Sequence, residues 1–113
     1  MGGVRAGVVV LVRFPFSDLS SSKLRPALVV ASAGGADWVL CQITSNPYSD
    51  PSAVALMKAS FDHGGLPRES FVRPGKLFTA NESIVVRPVG ELKTHVHRVV
   101  VDAIINVLKG SLK

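Results

Sequence analysis

Three runs of apolar and β-branched residues, each closed by a glycine, a proline or a turn cluster, occupy the first 44 positions and dictate a β-rich start. Val8 to Phe14 (VVVLVRF) lies between Gly7 and Pro15. Pro26 to Ser32 (PALVVAS) ends at AGGAD, and Trp38 to Thr44 (WVLCQIT) stops at SNPYSDP. Branching at Cβ favours extended backbone, and the punctuation limits each run to strand length. The intervening FSDLSSSKL at 16–24 is short, polar and serine-rich, which reads as a loop. This spacing predicts a small antiparallel barrel, mainly β in class.

Beyond residue 50 the pattern is weaker. AVALM at 53–57 reads as a strand or a single helical turn, and FDHGGLP at 61–67 as a turn. Ser70–Arg73 and Ile84–Arg87 read as two further strands, with a turn and a short apolar piece in PGKLFTANE between them. The end of the chain is helical. Leu92, Val96, Val99, Val100, Ala103, Ile104, Val107 and Leu108 recur at helical spacing on one face, with Thr94 as N-cap, Lys109 in the last turn and Gly110 as the stop. Such a face must pack on the barrel or on a second subunit.

At 113 residues and 47% hydrophobic content, the chain is expected to form one domain over 1–113, burying about two-thirds of its unfolded surface without covalent staples. The single Cys41 allows no internal disulfide and sits in a strand-like run, as a small buried hydrophobe would. The apolar stretch after Arg5 is too short for a membrane helix and is closed by Arg13, so the expectation is a soluble cytoplasmic protein. A formal charge of +5 and a pI near 9.9 favour a polyanionic or acidic partner.

No phosphate-cradling GxxxxGK loop, GxGxxG, HExxH or paired cysteines occur, and no cofactor or metal is called for. His95 and His97 fall on different helix faces and read as surface residues. His63, beside Asp62, reads as a solvated loop histidine with acid–base capacity. What stands out is polar chemistry at strand ends. Pro26 restricts Arg25 to extended backbone at the start of the second strand, while Thr44, Ser45 and Asn46 leave the third. If these strands are antiparallel neighbours, Arg25 and the hydroxyls of Thr44 and Ser45 share a rim. A guanidinium fork beside hydroxyls suits a phosphodiester. The other reading is that Arg25 covers strand ends and Thr44 merely finishes a turn, and the spacing leaves both open.

RFPFSD at 13–18, LRPALVV at 24–30, LCQITSNPY at 40–48, GGLPRESFVRPGKLFT at 64–79 and the final apolar helix resemble, in that order, the MazF/PemK (Kid) toxins of bacterial type II toxin–antitoxin systems. The likeness runs from about Gly7 to Leu108. It implies an SH3-like antiparallel β-barrel with a C-terminal α-helix, a homodimer, a cognate antitoxin protein, and a metal-independent endoribonuclease (mRNA interferase) acting on single-stranded RNA. By position it implies catalytic roles for Arg25, Thr44 and Ser45. The loop from Ser17 to Leu24 resembles the one that folds over the RNA groove. RNA contacts are then expected from Phe16, Ser17, Lys23, Asn46, Tyr48, Arg73 and Lys76, with Arg68 and Arg87 as further cations. One position departs from the family: Gly7 is followed by Val8 rather than an acidic residue. Two alternatives remain. A gyrase-binding toxin of the CcdB type would share the fold without nuclease activity, but those proteins depend on a tryptophan near the C-terminus, whereas this chain ends VLKGSLK with its only tryptophan at Trp38. An inactive family member is the other.

Overall fold

The computed structural model describes residues 3–15 and 22–112. Seven strands and one helix follow in order: β1 (Val8–Pro15), β2 (Ser22–Gly34), β3 (Asp37–Thr44), β4 (Val54–Leu56), β5 (Phe61–Gly64), β6 (Ser70–Asn81), β7 (Val85–Leu92) and α1 (Thr94–Lys109). All strands join one antiparallel sheet in the order β4-β6-β3-β2-β1-β7-β5, which bends into a half-barrel with the helix packed on one face. The mainly β fold with a C-terminal helix is as expected.

The bend lets both faces of the central strands bury apolar groups. On one face Val8, Val10 and Val12 of β1 meet Ala27, Val29 and Leu40 inside the half-barrel, with Trp38, Phe78, Ile84 and Val85 around them. On the other, Val9, Leu28, Cys41, Ile43 and Val72 meet Val100 and Ile104 of α1. Adjacent residues therefore alternate between two cores, which is why the first strands read as continuous apolar runs.

Several expectations are corrected. FDHG is not a turn but the edge strand β5, paired with β7 through Phe61–Leu92 and Gly64–Gly90. Of the two readings of AVALM the strand holds, as β4, and a 3-10 turn follows outside that stretch at Lys58–Ser60. Residues 70–81 form one strand rather than two pieces around a turn. It carries a large bulge: Cys41 pairs with Leu77 and Ile43 with Val72, so five steps along β6 (77 to 72) face two along β3 (41 to 43). Leu92 is buried as the last residue of β7, not as part of the helix, and Lys93 rather than Thr94 is the N-cap. Only part of the predicted helical face is covered. Val100 and Ile104 are buried and Val96 packs beside them, whereas Val99 is 51% and Leu108 60% exposed. His97 is not a surface residue: it is half-buried, with its Nδ1 shielded from solvent and without a hydrogen-bond partner. No helix among the described residues is long and apolar enough to cross a membrane.

Candidate functional site

The β2–β3 ladder runs Leu28–Cys41, then Ala27–Gln42. Two residues further along both strands stand Arg25 and Thr44, on the same face as the Ala27–Gln42 pair, because side chains alternate with period two. The rim expected from the sequence is therefore assembled by register. Arg25 is exposed, paired through its backbone with Val12 of β1, and Lys23 stands exposed two residues before it, opposite Phe14. Phe16 and Ser17 lie outside the described residues, as does most of the expected 17–24 loop; its last residues, from Ser22, already belong to β2.

After Thr44 the chain turns sharply. The Thr44 hydroxyl accepts from the Asn46 backbone N–H (3.1 Å) and donates to the Asn46 carbonyl (3.0 Å), so it does finish the turn. The Asn46 carboxamide oxygen accepts from the Tyr48 N–H (2.9 Å). Ser45 is exposed between these residues. Tyr48 and Ser49 both take left-handed backbone (φ 52° and 61°), and the Tyr48 ring stands 68% exposed.

Asp50 ends this turn. One of its carboxylate oxygens accepts from the Ser52 N–H (2.9 Å), and the other from Nε of Arg73 (3.0 Å). Arg73 comes from the β6 bulge, and its guanidinium carbon lies 5.8 Å from the centroid of the Tyr48 ring. The hydrogen bond from Arg73, then that from Ser52, holds the Asp50 carboxyl below the usual carboxylate range, and Lys76 adds to the effect through its charge. Cys41 lies beneath. Burial, with the Asp50 charge adding to it, pushes its thiol up to about 12, so it stays protonated and donates to the Arg73 carbonyl (2.9 Å).

The turn after Thr44 thus gathers Asn46, Tyr48 and Asp50, Arg73 of β6 joins them through Asp50 and Tyr48, Lys76 acts on Asp50 through its charge, and Arg25 shares the face of Thr44 by register. Asp50 was missed by sequence reasoning, and the only signal for it was its place in the turn cluster SNPYSDP. Two of the expected cations lie elsewhere. Arg87 pairs with Leu11, on the face opposite to that of the Val12–Arg25 pair. Arg68 lines a separate cleft of about 560 Å³ with Leu56, Met57, Phe61 and Leu66. At the far end of β1, Val8 is buried, and the carboxylate opposite it is Glu91, which accepts from Arg5 (2.6 Å) and pairs with His63 (3.1 Å).

Comparison with known proteins agrees with this fold. The chain superposes on solved structures over almost its full length, at identities that speak for the fold alone. A MazE–MazF complex from Deinococcus radiodurans gives a TM-score of 0.76 at 22% identity, covering 96% of this chain and 97% of that one. An endoribonuclease in complex with its cognate antitoxin from a mycobacterial species gives 0.74 at 17%, covering 94% and 95%. The Mycobacterium tuberculosis toxin MazF-mt6 gives 0.70 at 19%, covering 90% and 96%. A comparison with curated protein sequences gives no significant match. The model of the PemK-like, MazF-like toxins of type II toxin–antitoxin systems matches residues 5–108, and the chain belongs to that family.

Proposed function

We propose that this toxin is a sequence-specific endoribonuclease that cuts single-stranded RNA without a metal ion. The observation that supports the reading is that Arg25 and Thr44 share one face where β2 and β3 part, with Arg73, in the β6 bulge, paired to Asp50 at the end of the turn that follows Thr44. RNA supplies its own nucleophile. The 2′-oxygen forms a bond to phosphorus, the bond to the 5′-oxygen breaks, the 2′-proton passes to solvent, and the leaving oxygen takes up a proton. The products are a 2′,3′-cyclic phosphate and a 5′-hydroxyl.

Arg25 stays charged at any physiological pH, so it stabilises the pentacoordinate phosphorane electrostatically rather than acting as a proton donor. The Thr44 hydroxyl, released from the Asn46 carbonyl, orients a phosphate oxygen or the attacking 2′-hydroxyl, with Ser45 beside it. Asp50 is a poor general base, because a carboxylate whose proton affinity is lowered by Arg73 gains little by accepting one. Lys23, Asn46 and Lys76 hold flanking phosphates, and the same reading counts Phe16 and Ser17 among the RNA contacts.

The same reading takes the chain as a single domain that acts in the cytoplasm as a homodimer and is neutralised by a cognate antitoxin. Exposed Val99, Ile105 and Leu108 on α1 support self-association. A gyrase-binding role is not favoured, since the family match is to the PemK/MazF-like toxins.

The test is incubation of the purified protein with a long unstructured RNA in EDTA, against Arg25→Ala, with fragment ends mapped. Discrete cuts ending in a cyclic phosphate and lost in the variant are the expected result. Intact RNA at high enzyme excess would overturn the proposal.

A further inference from the structure

The RNA-cleaving reading leaves the cluster of Tyr48, Asp50 and Arg73 without a defined task, yet this is the most tightly fixed part of the rim. Two successive non-glycine residues in left-handed backbone occur rarely and persist only where the surroundings over-determine them. Here they do. The Tyr48 N–H is held by the Asn46 side chain (2.9 Å), and the Asp50 N–H by the Pro47 carbonyl (2.9 Å). The Asp50 carboxylate and carbonyl are held by the N–H groups of Ser52 (2.9 Å) and Ala53 (3.2 Å). The effect is to push one aromatic ring into solvent beside Thr44.

Behind that ring stands a cation held at both ends. The Arg73 carbonyl accepts from the buried Cys41 thiol, and its Nε donates to Asp50, which anchors the guanidinium at one nitrogen. At 5.8 Å from the ring centroid, the guanidinium is within cation–π range of Tyr48. An arginine in a phosphate-rich groove, left to itself, swings towards phosphate. The ion pair with Asp50 opposes that swing, and so keeps the cation behind the ring and the ring's orientation defined.

Resting on the ribonuclease reading, we propose that Tyr48 and Arg73 form a preset stacking platform for the nucleobase beside the scissile phosphate, and that Asp50 is the positioning residue that sets it. Stacking on such a platform selects for a base that can be splayed out and laid flat, so the unit contributes to cleavage-sequence preference as well as to affinity.

The experiment uses a short RNA spanning a mapped cut, with a 2′-deoxy sugar at the cleaved nucleotide to block reaction and 2-aminopurine moved one position at a time. Binding to the wild-type protein should quench the fluorophore strongly at one position next to the cut. Tyr48→Ala should abolish that quench and weaken binding about tenfold or more, whereas Tyr48→Phe should keep both. Asp50→Asn retains an oxygen for the Ser52 N–H but loses the charge that holds Arg73. It should weaken the quench and raise KM several-fold on a cleavable RNA, with little change in kcat or Tm.

A purely structural ion pair would lower Tm and leave KM and quench unmoved, which would overturn the proposal. Binding with Arg25-dependent cuts but no quench at any position would overturn it too, while leaving the nuclease reading intact. Absence of any Arg25-dependent cut would overturn both.

Discussion

Replacing Gly64, the last residue of β5, with alanine should cost this fold more than the same change at the turn residue Gly35, and the structure gives the reason in two parts. Gly64 has φ +69°, where an L side chain is disfavoured by roughly 1–2 kcal/mol. A Cβ there would also overlap the Val89 carbonyl oxygen and lie 2.6 Å from the Gly90 Cα and 2.9 Å from the Val89 carbonyl carbon. All three are backbone atoms that no rotamer change can move. Separating them by about 1 Å adds an overpacking cost of about 1–3 kcal/mol, and it strains the Gly65 N–H bond to the Val89 carbonyl (3.0 Å), worth about 1 kcal/mol. The sum is about 3–6 kcal/mol. At about 4 °C per kcal/mol for a domain of this size, Tm should fall by about 12–24 °C. Gly35→Ala is the internal control, since its φ is +56° but nothing lies within 4 Å of the new methyl group. It should lose only the conformational part, about 1–2 kcal/mol or roughly 4–8 °C. Thermal melts of the two variants by circular dichroism test the reasoning, and equal drops in Tm would show that the close approach of β5 to β7 carries no cost.

Thr44→Val should separate the two roles of its hydroxyl: loss of the turn bonds to Asn46 should lower stability by about 1–2 kcal/mol, while RNA cleavage falls about 100-fold and Thr44→Ser stays within about tenfold of wild type. Cleavage by Thr44→Val within about threefold of wild type would reduce Thr44 to a turn residue. His97 should make the fold sensitive to mild acid. Burial lowers its pKa, against a smaller opposing effect of the nearby Val30 backbone. The neutral ring is therefore favoured in the folded state, and the unfolded chain binds more protons below its ordinary pKa near 6.5. Its stabilising contribution is complete above that value and declines as pH falls through it towards the lower folded pKa. In urea melts at pH 7.5 and pH 5.5, His97→Gln should show a smaller difference between the two than wild type, and an unchanged difference would refute the assignment.

The parts of the fold that were legible in the sequence are those whose residues carry the pattern themselves. Val8–Val12, Ala27–Val30 and Trp38–Ile43 bury both faces, so each reads as an uninterrupted apolar run and each is a central strand. The edge strand β5 was illegible for the converse reason. Of Phe61, Asp62, His63 and Gly64 only the first is buried, and what makes them a strand is the partner β7 rather than any local preference. Leu92 fell into helical register with Val96 and Val99 by coincidence of spacing, since a buried strand end and a buried helix face demand the same residue type. At the rim, Arg25 and Thr44 were legible because a single assumption, that successive strands pair, joins them. The Asp50–Arg73 pair spans 23 positions and depends on a bulge that no residue type announces.

That bulge is where the core and the rim meet. A regular β6 would leave no slack between Val72 and Leu77, and Arg73 and Lys76 would then lie in the ladder instead of at its margin. Pro74 opposes such a regular ladder, because it has no N–H to donate to β3, and it is fully buried in the bulge. The Arg73 carbonyl just before it accepts instead from the Cys41 thiol, whose high pKa keeps that proton in place. A core cysteine, a buried proline and a rim arginine thus belong to one local solution. The cations that face the proposed RNA path are set by backbone pairing beneath them, so their placement should survive substitutions on the exposed surface and fail with those that repack Cys41 or Pro74.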